Sequence, residues 1–439
     1  MVASFSITRP ICRKWFAGLS NYPMVWMTGS CSFRRFKFNS YQIGMSTLAE
    51  PMFSSSTRQN PSSSSSPWLM LPLATVASAG ISYKFYSLAD DKIVTLGTGK
   101  SRHERELTHP RMRFAGSSHG WLALLSRSLD LFLYNPISGR HIDLPSVRDL
   151  PESPAGSTIT YKVILSCSPD RPDCRAIVLY NSMCALAFCC LGLSKEWTRI
   201  GDDHWLDEKL GRPFRNGYWD CVYSTRHEAL FSLTRQGVLE SWDLRDPRSP
   251  RARAVKIAEV RPEGRVSIMY RKSYEKEENH LWLSCDAVQH LVVAGKDLFV
   301  VTQYRAGCFD FDGLYVGWSD QNTFAGGPPY VTVDFDVYKY DPENQDVKYV
   351  NSLDGLAVFV GYHNDAFALP AAEFPELKPN CIYFTNAIEP SMSAYIPTRG
   401  QDIGIFDYKN KTVLPCYYPF DDKNMREIFP TPTWKIEVC

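Results

Sequence analysis

Residues 116–120 read Gly-Ser-Ser-His-Gly, which fits the Gly-x-Ser-x-Gly pattern of a nucleophile elbow. Such an elbow holds its serine on a sharp strand-to-helix turn beside an oxyanion hole, with an acid and a histidine following in the chain. Ser118 would be the nucleophile, and His204, His227, His280, His290 and His363 all lie downstream. The surroundings argue against a hydrolase: the residues after Gly120 read as two strands and a turn, and no strand–helix alternation flanks them. The alternative is a loop feeding a strand, with Ser118 bonded to local backbone.

The 13 cysteines are scattered, without a Cys-x-x-Cys pair. Cys167, Cys174, Cys184, Cys189, Cys190 and Cys221 form the densest region, with His204 inside it. Zinc prefers paired short spacings, whereas adjacent Cys189 and Cys190 on a strand face opposite sides of a sheet. Small apolar filling of a core is the expectation, with a metal site or a redox switch as the alternatives. Asp202-Asp203-His204 and Asp207-Glu208 bring carboxylates together, but read as a solvated segment, and Asp202–Leu210 is the best short-helix candidate. Arg271–His280 reads as an exposed loop and Arg245–Arg253 as a solvated connector. No residue is assigned to catalysis, a metal or a cofactor. Trp205, Tyr218 and Trp219 fall in segments that read as loops near Pro213 and Gly217. Exposed aromatic residues of this kind anchor protein partners, so these three are the candidate partner-binding residues.

The elements that would position these groups are strands. Trp121–Leu125 and Leu129–Tyr134 are apolar runs, Asn135–Gly139 carries turn chemistry, and Arg140–Leu144 alternates polar and apolar. Leu69–Gly80 reads as the first strand. Further runs are Arg175–Tyr180, Ala185–Leu191, Cys221–Ser224, Ala229–Thr234, Val238–Leu244, Leu281–Ser284, Val288–Ala294 and Asp297–Gln303. Gly295-Lys296 is a two-residue hairpin candidate. Tyr330–Asp341, Lys348–Ser352, Ala357–Tyr362, Cys381–Thr385, Ile403–Tyr408 and Thr412–Tyr417 complete the set. Groups recur every ~40–55 residues, the period of propeller blades. The fold class is all-β: one β-propeller of six or seven four-stranded blades.

Three motifs occur in order: Ser118-His119-Gly120-Trp121-Leu122, the turn Asn135-Pro136-Ile137-Ser138-Gly139, and Ile142-Asp143-Leu144-Pro145. Together with Cys381–Asn386, Gly404–Tyr408, Pro430–Trp434 and the opening Pro67–Pro72, this resembles the plant family called "domain of unknown function 295", the KIB-type β-propeller. The resemblance spans residues 67–435 and implies a recognition scaffold. Many members carry an F-box helical bundle ahead of the propeller, recruiting a ubiquitin ligase. Residues 1–66 lack that Leu-Pro-rich helical pattern, so the chain looks like the organellar branch, in which a targeting segment replaces the F-box.

Charge is distributed unevenly. Of 48 basic and 47 acidic residues, eight basic and one acidic lie in residues 1–89, leaving 40 and 46, a net of −6, for the rest. That body is a poor nucleic-acid binder. The amino-terminal segment, rich in Arg, Ser and aromatics, fits an organelle transit peptide, and Ser54–Ser66 reads as a linker. No apolar stretch reaches membrane-spanning length. Residues 1–66 are thus expected to target the chain to mitochondria, with chloroplasts or both as the alternative, and 67–439 to form the propeller. The expected function is a non-catalytic module binding a protein partner. The other readings are an F-box-like substrate receptor in cytosol or nucleus, and a Ser118-dependent hydrolase.

Overall fold

Trp121, Ala123 and Leu125 leave their strand on one side and Leu122 and Leu124 on the other, yet all five are buried. A strand covered on both faces lies between two neighbouring sheets, and that requirement sets the architecture. In a computed structural model of the chain, described residues fall within 67–71, 82–97, 113–151, 160–259, 285–307, 330–385, 403–414 and 433–435, short interruptions apart. All of them belong to the unit Ser54–Cys439. The expected targeting segment and linker, Leu281–Ser284 and Arg271–His280 lie outside the described residues.

Arg113–Ser118 (β4), Trp121–Leu125 (β5), Leu131–Tyr134 (β6) and His141–Asp143 (β7) form a four-stranded antiparallel meander. Three more sheets have four strands each. One joins Trp68–Leu71 (β1), Ser82–Ser87 (β2) and Lys92–Gly97 (β3) to the carboxy-terminal Thr433–Lys435 (β27), in the order β27-β1-β2-β3. The next is Thr160–Leu165 (β8), Arg175–Tyr180 (β9), Ala185–Cys190 (β10) and Thr198–Ile200 (β11). The third is Tyr218–Ser224 (β14), Ala229–Thr234 (β15), Val238–Asp243 (β16) and Arg251–Glu259 (β17). A nine-stranded sheet supplies two more blades. Its first half is the meander Cys285–Ala294 (β18), Asp297–Gly307 (β19), Tyr330–Asp341 (β20) and Asp346–Tyr349 (β21). Its second half contains Leu356–Val360 (β22), Phe367–Pro370 (β23), Cys381–Phe384 (β24), Gly404–Asp407 (β25) and Thr412–Leu414 (β26). The halves meet through one parallel pairing, Val293 with Phe367.

Hydrophobic clusters between these sheets show that they follow one another in a ring. Blades one and two share Met70, Phe85, Leu122 and Phe132; two and three share Trp121, Leu133, Val163 and Tyr180. Ile177, Phe188, Leu230 and Trp242 join three to four, and Phe231, Leu233, Leu291 and Val300 join four to five. Val337 and Phe335 meet Phe384 and Phe406 between five and six. Leu69 and Tyr86 of blade one then pack with Phe359 and Tyr383 of blade six, completing the circle. The described residues thus make six blades. Pairing of Leu69 with Trp434 puts the two ends of the propeller in one blade, so the ring is fastened by its own termini.

Differences from the sequence reading are local. Of Gly116–Gly120, read as a loop feeding a strand, the first three residues belong to the strand Arg113–Ser118, whose Phe114 and Ala115 are buried on opposite sides in two different clusters. The expected helix at Asp202–Leu210 is absent where the chain is described: Trp205–Asp207 (β12) is a strand paired with Arg212–Phe214 (β13). The Arg245–Arg253 connector ends in β17, where Arg251 pairs with Asp243. Gly295 takes φ +59° in a two-residue turn between β18 and β19, as expected of a hairpin that needs glycine first.

Candidate functional site

The Gly-x-Ser-x-Gly segment is a hairpin. Ser118 and Trp121 are register partners, and the two residues between them, His119 and Gly120, have φ of 47° and 77°. Two successive left-handed residues make the hairpin turn that matches strand twist, and the chain leaves it into β5 rather than a helix. Gly116, the first glycine of the motif, has a packing reason. A Cβ on Gly116 would lie 2.2 Å from the carbonyl oxygen of Val163, so only glycine allows β4 to approach β8 this closely.

Ser118 does not bond local backbone. Its Oγ donates to Asp365 Oδ2 at 2.7 Å and accepts from the Leu165 amide at 3.1 Å. The one hydroxyl proton is committed to a carboxylate, not to a histidine. His227 is bonded to Ser224 Oγ at 2.8 Å and His290 to Gln303 Oε1 at 3.1 Å. His204, His280 and His363 lie outside the described residues. The described geometry is that of a strand staple, and the expected bond from Ser118 to local backbone is replaced by bonds to other blades.

Around Ser118 a polar chain links successive inner strands. Lys162 of β8 donates to Asp220 Oδ1 of β14 at 2.6 Å, with side-chain exposures of 8% and 4%. Asp220 also accepts from the amides of Cys221 at 2.8 Å and, on β18, of Leu291 at 2.9 Å. Asp365, just before β23, donates its amide to Ser117 O at 2.9 Å, while its shielded Oδ1 makes no hydrogen bond among the described residues. Blades two to six are thereby tied together near the ring's inner edge. Burial, the largest single influence, opposes the charge on Lys162, but Asp220, Cys221 and Asp365 together outweigh it and the pKa is raised. Burial raises the Asp365 carboxyl, against the pull of Lys162, His119 and the Ser118 bond. The His290 ring is held neutral, pushed down to about 4 by burial.

The three candidate partner-binding aromatics all lie on strands, not loops. Trp205 opens β12. Tyr218 and Trp219 open β14 but diverge: Tyr218 packs on the cluster between blades three and four, Trp219 on that between four and five. The register skips from Tyr218 to Asp220, so Trp219 is the extra residue of a β-bulge. Bulges re-aim side chains; Trp219 on this one is half-buried, with the Arg235 guanidinium 5.6 Å from its ring centroid. The structure therefore brings Tyr218 and Trp219 to one strand but to different faces.

Cys167, Cys174, Cys189 and Cys221 are buried, free thiols, and Cys190 is half-buried. Cys189 joins the cluster between blades two and three while Cys190 packs on the next one, the opposite-face arrangement expected of adjacent strand residues. Lys162, Asp220 and Asp365 were missed by reading motifs. Their signal was nonetheless present, because Lys162 and Asp220 are single charges inside the otherwise apolar or aromatic runs Thr160–Leu165 and Tyr218–Ser224.

The fold and this inner network define a closed β-propeller whose central charges serve the ring. The chain belongs to the KIB1-4 beta-propeller family, whose model matches residues 85–407. An Arabidopsis thaliana protein named as an F-box protein is 22% identical over 342 residues, covering 75% of this chain and 79% of its own length. Among solved structures, a Lactobacillus plantarum protein aligns with 65% of this chain and 81% of its own at 9% identity and a TM-score of 0.31. A protein named as a Bacteroides uniformis 6-phosphogluconolactonase covers the same shares at 11% identity and a TM-score of 0.30.

Proposed function

We propose that this chain is a non-catalytic protein-interaction module, imported into an organelle, with mitochondria placed ahead of chloroplasts. The observation that carries the non-catalytic reading is the use of Ser118, Lys162, Asp220 and Asp365 in strand-to-strand bonds. Groups so committed position backbone rather than substrate. The half-buried Trp219 on its bulge is the proposed anchor for a protein partner, with Trp205 and Tyr218 on neighbouring stretches. The partner is a protein and not a nucleic acid, given the net acidic balance beyond residue 89.

Import is supported by the basic, nearly acid-free composition before residue 89 and the serine-rich Ser54–Ser66. The "domain of unknown function 295" name and its organellar branch belong to this same reading. Tagging the chain at Cys439 in plant cells and sequencing the amino terminus of the recovered protein tests it. An organellar product beginning between about residues 30 and 66 supports import, and an uncleaved cytosolic or nuclear product overturns it.

A second reading, a ubiquitin-ligase substrate receptor in cytosol or nucleus, is favoured by the relative named as an F-box protein. Stable co-purification with a cullin and its adaptor would establish that reading over the first.

A further inference from the structure

The hairpin joining β8 to β9 carries a pair of cysteines in register. Leu165 faces Ala176, so one step further Ser166 faces Arg175 and the next step sets Cys167 opposite Cys174. The Ser166 amide donates to Arg175 O at 2.9 Å and the Arg175 amide returns a bond to Ser166 Oγ at 2.8 Å, which sets that pair at the hydrogen-bonded position. Cys167 and Cys174 therefore occupy the adjacent non-hydrogen-bonded position, where cross-strand Cα atoms approach to about 4.5 Å. That separation lies within the range a disulfide spans. The Cys174 side chain reaches across to Cys167: its Sγ donates to the Cys167 carbonyl at 3.1 Å, and neither sulfur is in a disulfide. Between them runs the exposed tip Asp170–Asp173. Its Arg171 is paired with Asp173 at 3.0 Å and interacts electrostatically with both thiols.

We propose that Cys167 and Cys174 form a cross-strand dithiol that closes to a disulfide on exposure to a hydroperoxide. Cys167, 8% exposed against 0% for Cys174, is the attacking thiol. Its thiolate attacks a peroxide oxygen, the O–O bond breaks, and an alcohol or water leaves with the proton, giving a sulfenic acid on Cys167. Cys174 Sγ then attacks that sulfur, the S–O bond breaks, and water leaves. Two thiols are oxidised and one peroxide is reduced. Burial pushes the Cys174 thiol up to about 12, so it waits as a thiol until its neighbour is oxidised. The disulfide fixes the tip that Asp170 already ties to Arg140 of blade two at 2.6 Å.

The sequence makes the test direct. Trypsin cuts after Lys162 and Arg175 but not at Arg171-Pro172, so one peptide, 163–175, holds both cysteines and no other. The reduced full-length protein is treated with hydrogen peroxide, alkylated under denaturing conditions and digested. The expected result is loss of both alkylatable thiols from that peptide, with a mass two hydrogens lower, reversed by dithiothreitol. A doubly alkylated peptide after oxidation, or a disulfide from either cysteine to a third, overturns the proposal. In Cys174→Ala the sulfenic acid should persist on Cys167 and be trapped by dimedone; a dimedone-free Cys167 in that oxidised variant also overturns it. The wild-type peptide decides the matter even where the variant does not fold.

Discussion

Lys162 Nζ sits 2.6 Å from Asp220 Oδ1 across the boundary between the third and fourth blades, and both side chains are almost wholly buried. The pair is one link of a chain that continues to Leu291 on β18, with Ser118 on β4 tied in turn to β8 and Asp365. Removing one partner of a buried pair leaves an uncompensated charge, which costs about 3–5 kcal/mol. Lys162→Met should lower stability by that amount in urea unfolding. Adding Asp220→Asn should recover part of it, because the remaining amide no longer carries a charge.

Close approach of blades two and three depends on the absence of a side chain at Gly116. A methyl group there would meet the Val163 carbonyl oxygen at 2.2 Å, and backbone atoms on both sides leave no flexible group to yield. Gly116→Ala should therefore destabilise by about 3 kcal/mol. Thermal unfolding followed by tryptophan fluorescence would read this as a lower midpoint.

Two buried groups give opposing pH dependences. Burial pushes the Glu240 carboxyl up from 4.5 to about 7, against hydrogen bonding to Ser232, so its contribution to stability is full below 4.5 and drains as pH rises towards 7. His290 is pushed down from 6.5 to about 4, so its contribution is full above 6.5 and drains as pH falls towards 4. Between pH 4.5 and 6.5 the two oppose each other. Relative to wild type, Glu240→Gln should gain stability across that window by about 2–3 kcal/mol, and His290→Gln should lose a similar amount. Urea midpoints measured at several pH values check both signs.

Closure through β27 predicts a global effect of a small truncation. Ending the chain before Thr433 removes the strand whose Trp434 pairs with Leu69 and opens the ring between its first and last blades. Because each blade buries its faces only against its neighbours, such a chain should lose cooperative unfolding rather than merely shift its midpoint. Differential scanning calorimetry would show a broadened or absent transition.

Much of this was legible in the residues. Trp121–Leu125, Arg175–Tyr180, Ala229–Thr234 and Tyr330–Asp341 have the bounds their apolar and β-branched runs announce. Arg113–Ser118 was hidden because Gly116, Ser117 and Ser118 resemble a loop; their strand state comes from close packing on β8, which no local propensity encodes. The inner network was hidden for a related reason. Ser118 and Asp365 are 247 residues apart, and only the closed ring brings them together. Trp219 illustrates the intermediate case: its aromatic type was a visible signal, whereas its re-aimed side chain depends on a bulge against β15.

Partner capture tests the central claim most directly. The full-length chain is tagged, expressed in plant cells and purified quantitatively beside an untagged control and a Trp219→Ala variant matched for abundance. The predicted result is a defined protein partner retained by wild type and reduced about tenfold or more in Trp219→Ala. Recovery of no protein above the untagged control would contradict the account of this propeller as a protein-binding module.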